Sequence, residues 1–331
     1  MKNYFRNKKI LVTGGVGSIG SEIVRKVLEL KPKTVRVMDI NESGLYTLEN
    51  ELNNNHARFL IGDIRDKDRL RLASRDVDII FNTSALKHVP LCEYNPFEAI
   101  KTNVIGTQNI IDVAYEERVE KMMTISTDKA VNPASVMGAT KLLAERITIL
   151  ANRYVDGKTT QYASIRFGNV LLTNGSVVPL FKQQIENGGP ITITDPDMTR
   201  FTMSIPDAVD LVLKATTMAK GGEIFILKMP ALKIIDLADA MLEIANKKSI
   251  QKIFIGARVG EKLYEELLTE EEAKNAYEND EMFVVMPNPP MPKNNIPPHN
   301  FKKNKSDVWS SNKMTLMSKD EIMLVLGRCV K

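Results

Sequence analysis

Apolar residues fall along this chain in two kinds of run. Short continuous stretches bounded by glycine or polar clusters read as buried β-strands, and longer stretches with apolar positions every three or four residues read as helices. The short runs lie at 8–13, 34–40, 57–62, 77–85, 121–127 and 160–169. Ile23, Val24, Val27 and Leu28 mark a helix over 21–30, and Met137, Leu142, Leu143, Ile147 and Leu150 mark another over 137–153. The segment 96–118 keeps helical spacing with Asn103 and Asn109 inside it, and Asn103 is expected to be buried, bracing the strand at 121–127. Strands alternating with helices predict an α/β fold, a Rossmann-like doubly wound parallel sheet.

After Gly175 the rhythm changes to shorter elements: a helix following 175–180, a β-rich stretch at 191–204, a helix at 206–219, a strand at 223–230, a helix at 234–245 and a strand at 252–257. This predicts two units, 1–168 and a smaller C-terminal one over 169–331, with segments near 201–230 returning to the first sheet. The Pro-, Asn- and Lys-rich stretch 287–305 reads as an extended arm, and no internal repeat is visible.

The first strand runs into Thr13-Gly14-Gly15-Val16-Gly17-Ser18-Ile19-Gly20 and then a helix. Glycines at such a junction permit a tight turn and let a pyrophosphate approach the helix N-terminus, whose free N–H groups favour anions. Gly14, Gly17, Ser18, Ile19 and Gly20 are therefore the expected dinucleotide cradle. Asp39 ends the second strand, roughly twenty positions further on, where a carboxylate accepts from the ribose hydroxyls. No Lys or Arg follows it closely to neutralise a 2′-phosphate, so NAD is expected rather than NADP. Asp63 and Ile64 follow the third strand and are expected at the adenine edge. Ala85, Lys87 and His88 follow the fourth, with Ala85 on the cofactor, Lys87 facing cofactor or substrate, and His88 expected at the substrate, ordering the nicotinamide wall rather than acting as a catalytic group, its alternative role.

The richest stretch is 126–141, Ser-Thr-Asp-Lys-Ala-Val-Asn-Pro-Ala-Ser-Val-Met-Gly-Ala-Thr-Lys. Asn132-Pro133 punctuates a loop between strand and helix. Asp128 and Lys129 thus sit at a strand's carboxyl end, where open α/β sheets bind ligands. Met137 and Lys141 share one face of the following helix.

Composition adds little. With 331 residues, 43% hydrophobic and 26% charged, the chain is globular, and its net charge of +4, drawn partly from Lys302, Lys303 and Lys305, reads as a solvated tail rather than a nucleic-acid patch. Two cysteines suit a reducing cytoplasm, three histidines argue against a histidine-rich metal site, and no run is long enough to span a membrane.

These motifs, with 86–90, 166–169, 175–179, 198–201 and 258–262, resemble the extended short-chain dehydrogenase/reductases, and among them the nucleotide-sugar 4,6-dehydratases of the polysaccharide-biosynthesis type that act on UDP-N-acetylglucosamine. Many short-chain dehydrogenases carry Tyr-x-x-x-Lys where this chain has Met137 and Lys141, and a thioether carries no proton. The resemblance implies that Lys141 holds the nicotinamide ribose and that Met137 replaces the tyrosine without ending activity. It also implies that Thr127 contacts the C4 hydroxyl, that Asp128 is the acid at the C6 oxygen, and that Lys129 is the base at C5, neutralised by burial, by Lys141 or by the cofactor's ring. Asn169, Arg200 and Arg258 would face the diphosphate, Val177 and Val178 the uracil, and Glu261 the uridine ribose. A UDP-sugar substrate, a recycled NAD, retention at C5, glycan biosynthesis, a homo-oligomer (dimer or higher) and a free-standing chain with no membrane region ahead of its first strand complete the expectation. A 4-epimerase or reductase of the same superfamily, or a non-enzymatic dinucleotide sensor, are the alternatives.

Overall fold

The computed structural model describes residues 1–154, 160–173, 175–257, 260–287, 296–305 and 309–329, with 328–329 as backbone only. Six parallel strands form the first half of the main sheet: β1 (Lys9–Thr13), β2 (Thr34–Asp39), β3 (Ala57–Ile61), β4 (Ile79–Asn82), β5 (Lys121–Thr127) and β6 (Gln161–Phe167). Their spatial order is β3-β2-β1-β4-β5-β6, so the order reverses between β1 and β4, where doubly wound folds open a ligand crevice. β5 is buried along its whole length except Thr127. That explains its unbroken apolar run, because helices cover both faces of a central parallel strand.

The sheet continues past β6. Strand β7 (Ile224–Leu227) pairs parallel to β6, and Met282–Val285 pairs antiparallel to β7. Ala276–Glu278 and then Lys302–Lys303 close that edge. Lys302 and Lys303 are therefore a paired edge strand with exposed side chains, not a free tail, and Lys303 Nζ lies 4.8 Å from the Tyr277 ring centroid. Of the arm expected over 287–305, residues 288–295 lie outside the described residues.

Some of the remaining elements build a second core. Asn169–Val170, Thr199–Met203 and Ala231–Lys233 form one small sheet, and Ile191–Ile193 pairs with Lys252–Phe254. Helices Val177–Glu186, Ile234–Ile244 and Lys319–Cys329 pack there through Phe181, Ile185, Leu237, Leu242 and Ile322.

Two local departures from the expected elements bear on the site. The run 77–85 pairs only over Ile79–Asn82, because the glycine turn after β1 crosses the chain there: a Cβ on Gly14 would stand 2.7 Å from Ser84 N. The segment 96–118 is helical in three pieces, with a π-helical turn at Ile100–Ile105. Asn103 in that turn is buried as expected, yet it does not brace β5. Its carboxamide oxygen accepts from Leu86 N at 2.8 Å, and its nitrogen donates to Leu86 O and Thr140 Oγ1, both at 3.0 Å. The widened turn presents the side chain to the loop after β4 and to the helix after β5 instead.

One ion cluster joins the halves. Arg166 on β6, fully buried, donates to Glu145 (2.6 and 3.2 Å), to both oxygens of Glu272 (2.8 Å each) and to Leu267 O (2.9 Å). Among the described residues, no helix is long and apolar enough to cross a membrane, and no group of His, Cys, Asp or Glu is arranged to hold a metal ion.

Candidate active site

The glycine turn leads into helix α1 (Ser18–Glu29), which starts earlier than its apolar pattern. Gly14 has a φ of 67°, a value a side chain resists. A Cβ on Gly20 would overlap Gly14 O, so the helix presses directly on the turn. Gly17 is the N-cap and supplies no side-chain cap. Asp39 ties this turn to the end of β2, accepting from Val16 N at 3.2 Å and Asn41 N at 3.0 Å. Ser18 and Ile19 stand half-buried on the first turn of α1. Asp63 is gripped by Arg65 Nε at 2.7 Å, which outweighs burial and holds its carboxyl below the usual range. Ile64 is buried against Gly106. Ala85, Lys87 and His88 lie in the loop after β4, and the His88 imidazole packs so closely on Gly175 that a side chain there would overlap it.

At the carboxyl end of β5 the backbone tightens into a short 3₁₀ turn, Asp128–Ala130. Thr127 Oγ1 donates to Asp128 Oδ1 at 2.8 Å, and Lys129 Nζ donates to the same oxygen at 3.0 Å. Lys129 Nζ also lies 3.2 Å from Asn169 Oδ1 and 3.3 Å from Glu265 Oε1. Asp128 is 0% exposed, and its Oδ2 has no hydrogen-bond partner among the described residues; Glu265 Oε2 is in the same position. Each such buried oxygen costs about 1–3 kcal/mol.

The neutral lysine expected at 129 is not what the resting site holds. Burial pulls the ammonium down, but the carboxylates of Asp128 and Glu265 more than reverse this, and the net direction is up despite Arg200. Burial pushes the Glu265 carboxyl up and Lys129 only partly restores it. Lys141 behaves as expected of a desolvated amine: burial pushes it down to about 8, with Glu145 opposing. Its Nζ donates to Ile125 O at 2.5 Å. Met137 lies in the first turn of helix α2 (Val136–Ala151) and is buried with Cys92 and Ala99, packed among apolar neighbours.

A cleft of about 300 Å³ opens between the halves. Lys129, Asn169, Val177, Arg200 and Glu261 line it, with Ser176, Thr202 and Glu265, which the pattern of the sequence did not single out. Val178 is turned the other way. It is buried in the second core and is not among the residues that line the cleft, although Phe181 on the same helix reaches both. Arg200 does line it, but not as a free fork. Its guanidinium donates to the carbonyls of Thr199 (2.8 Å), Lys262 (2.8 Å) and Leu263 (3.2 Å), and its Nε lies 3.7 Å from Glu265. It holds the 261–265 segment in place. Asn169 touches the Lys129 ammonium and donates to Phe201 O at 3.3 Å. Arg258 lies outside the described residues.

The family model described as polysaccharide biosynthesis protein matches residues 10–287. A Methanocaldococcus jannaschii relative described as an uncharacterized membrane protein is 60% identical over 87% of this chain and 88% of its own. Relatives at greater distance include proteins named for two different enzyme activities. The Campylobacter jejuni protein named UDP-N-acetylglucosamine 4,6-dehydratase (inverting) is 42% identical over 86% of this chain and 84% of its own. The Rickettsia rickettsii protein named UDP-glucose 4-epimerase is 41% identical over 82% and 81%. Among solved structures, Pen from Bacillus thuringiensis superposes with a TM-score of 0.90 at 41% identity, covering 98% of this chain and 99% of that one. With the glycine turn, the β5 strand-end triplet and the Lys141 helix in their expected places, the chain belongs to the polysaccharide-biosynthesis family of extended short-chain dehydrogenase/reductases.

Proposed function

We propose that this chain is an NAD-dependent nucleotide-sugar 4,6-dehydratase that acts on UDP-N-acetylglucosamine. The observation that carries the reading is the hydrogen-bonded run Thr127–Asp128–Lys129 at the strand end beside the cleft. A 4-epimerase needs only a redox step at C4, whereas loss of water across C5 and C6 needs a base and an acid close together.

The residues fit a dinucleotide. The α1 N-terminus is uncapped behind a close-packed glycine turn, which suits a pyrophosphate, and Asp39 ends β2 at its lip. Gly14, Gly17, Ser18, Ile19 and Gly20 would hold the diphosphate, Asp39 the adenosine ribose and Lys141 the nicotinamide ribose, with Asp63, Ile64, Ala85 and Lys87 along the walls. A bound nicotinamide supplies a reversible hydride acceptor. The absence of a basic neighbour to Asp39 favours NAD over NADP.

In this mechanism Thr127 Oγ1 takes the C4 hydroxyl proton as its own passes to Asp128 Oδ1 along their 2.8 Å bond. Asp128, now protonated, later gives that proton to the departing C6 oxygen as water. Lys129, once freed of its proton, takes the C5 proton and afterwards returns it. Glu261, Val177 and Asn169 would meet the nucleotide half of the substrate. Met137 in place of tyrosine favours retention at C5, whereas the C. jejuni relative is named as inverting.

Incubation of the pure protein with UDP-N-acetylglucosamine and NAD, followed by NMR, tests the reading. A 4-keto-6-deoxy sugar is expected, and its C5 configuration is read from the same spectrum. The 4-epimer alone would favour the second reading, which the rickettsial relative's name supports. A cytoplasmic homo-oligomer belongs to the same proposal, and light scattering checks its assembly.

A further inference from the structure

Lys129 as a base raises a problem of its own: an ammonium with a raised pKa must lose its proton before it can take another. Among the described residues the cleft offers one carboxylate partner besides Asp128. Glu265 Oε1 lies 3.3 Å from Lys129 Nζ, and Glu265 Oε2 is buried with no hydrogen-bond partner among the described residues. Its backbone is pinned on both sides of Ser311: the Ser311 hydroxyl accepts from Glu265 N at 3.0 Å, and Ser311 N donates to Glu265 O at 2.9 Å. Arg200 Nε lies 3.7 Å from the same Oε1. The carboxyl is held still, desolvated and half-satisfied, within reach of one ammonium.

We infer that Glu265 takes the Lys129 ammonium proton during turnover and hands it back afterwards, acting on the reaction only through Lys129. The inference rests on the dehydratase reading and extends it. The proton count closes. The Lys129 N–H bond breaks and a Glu265 O–H bond forms, leaving a free amine and a neutral carboxyl. The amine then takes the C5 proton, while Asp128 gives the C4 hydroxyl proton to the departing water. When C5 is reprotonated from Lys129, the amine recovers its proton from Glu265, and the pair returns to its starting state with no outside donor.

The pairing is favoured by its surroundings. Burial already pushes the Glu265 carboxyl toward its neutral form, and the charge of Asp128 pushes it the same way. The charged groups facing Glu265 are Asp128 and Lys129 from the end of β5 and Arg200 from Thr199–Met203, with Glu261 behind Arg200 at 3.9 Å. Loss of the Asp128 charge as it accepts the C4 proton weakens the hold on the ammonium just when the amine is needed.

Because Glu265 is a positioning residue, its test needs readouts that mere packing would not move. In Glu265→Gln the ammonium proton must leave to solvent. Turnover at neutral pH should fall on the order of 10²-fold with KM little changed, and kcat should climb about tenfold per pH unit toward alkaline pH. Wild type, passing the proton internally, should be level across the neutral range, and Glu265→Asp should recover part of the rate and the level profile. A Gln variant with the wild-type rate and profile overturns the inference. If the Gln variant does not fold, the wild-type profile decides: a level kcat supports internal transfer, and a kcat rising tenfold per unit through neutral pH overturns it. A wild-type protein that makes no keto-sugar overturns the functional reading itself, whereas one that turns over normally beside an unaffected Gln variant overturns only the role of Glu265.

Discussion

Two buried clusters in this molecule are built alike, each around a cation set between two carboxylates, and differ in how completely they are paired. At Arg166 every carboxylate oxygen of Glu145 and Glu272 receives a guanidinium N–H, and the remaining reach goes to Leu267 O. At Lys129 the ammonium meets one oxygen of Asp128 and one of Glu265, and the second oxygen of each is unpartnered among the described residues. Both clusters fasten the same short stretch, 265–272, to the main sheet. A planar guanidinium can satisfy two carboxylates at once, whereas an ammonium is a point charge that moves its proton readily. The complete cluster is a pin, and the incomplete one retains unsatisfied oxygens that chemistry can use.

The contrast can be broken by exchanging the two roles. Lys129→Ala should reduce keto-sugar formation on the order of 10²–10⁴-fold. Its thermal midpoint should fall less than that of an Arg166 variant, since Glu265 can neutralise itself by taking a proton. Equal losses of midpoint would erase the distinction. Arg166→Met should cost about 3–5 kcal/mol in denaturant unfolding, because it strands two buried carboxylates, while the folded fraction keeps its turnover. Asp39 offers a third carboxylate, with both oxygens engaged by backbone N–H groups. Asp39→Ala should weaken NAD by roughly 10–100-fold in calorimetry, the loss of charge-assisted hydrogen bonds, and leave the two ion clusters intact. Tighter NADP than NAD in the wild type would reverse the cofactor assignment.

The smallest expected effect is the sharpest in sign. Arg166 holds the Glu272 carboxyl below its ordinary value of 4.5 against burial, so Glu272 binds fewer protons folded than unfolded. Its stabilisation is complete above 4.5 and fades as pH falls through the lowered folded value. Glu265 is shifted the other way, so its ionised form costs stability above the raised folded value, and that cost vanishes below 4.5. Glu272→Gln should therefore lose about 1–3 kcal/mol at neutral pH and little in acid, while Glu265→Gln should be no less stable than wild type at neutral pH. Unfolding titrations of both variants that slope the same way would refute the comparison.

The legible parts of this chain were the ones whose signals are local. Strands β1, β4, β5 and β6 show as apolar runs because each is buried on both faces, whereas the edge strand β3 carries an exposed Arg58 and Ile61; the cofactor turn is contiguous in sequence. The cleft is not contiguous: 127–129, 169, 200 and 261–265 meet only after folding. Glu265 sits in an acidic run with Glu261, Glu266, Glu270, Glu271 and Glu272, and nothing local says which of them turns inward. The apolar pair Leu267–Leu268 just after it was the one hint that this stretch enters the core. Strands 276–278 and 282–285 form a short hairpin, and what ties it to the main sheet is the pairing of 282–285 with the distant β7, which no local pattern announces. Val178 is buried in the second core while Val177 lines the cleft, because adjacent positions on a helix face different ways.

The return of β7 and Met282–Val285 to the main sheet governs how the protein could be divided. A cut after 168 separates cofactor residues from substrate residues, but it severs no natural seam. β6 would be left as a bare edge with a row of unpaired N–H and C=O groups, and Arg166 would keep Glu145 while losing Glu272 and Leu267. The chain is laced across its own cleft, so neither lobe is a portable module. The cleft must then admit its ligand by local shifts of the segments that line it, with no lobe swinging free, and heat should melt both halves in a single step.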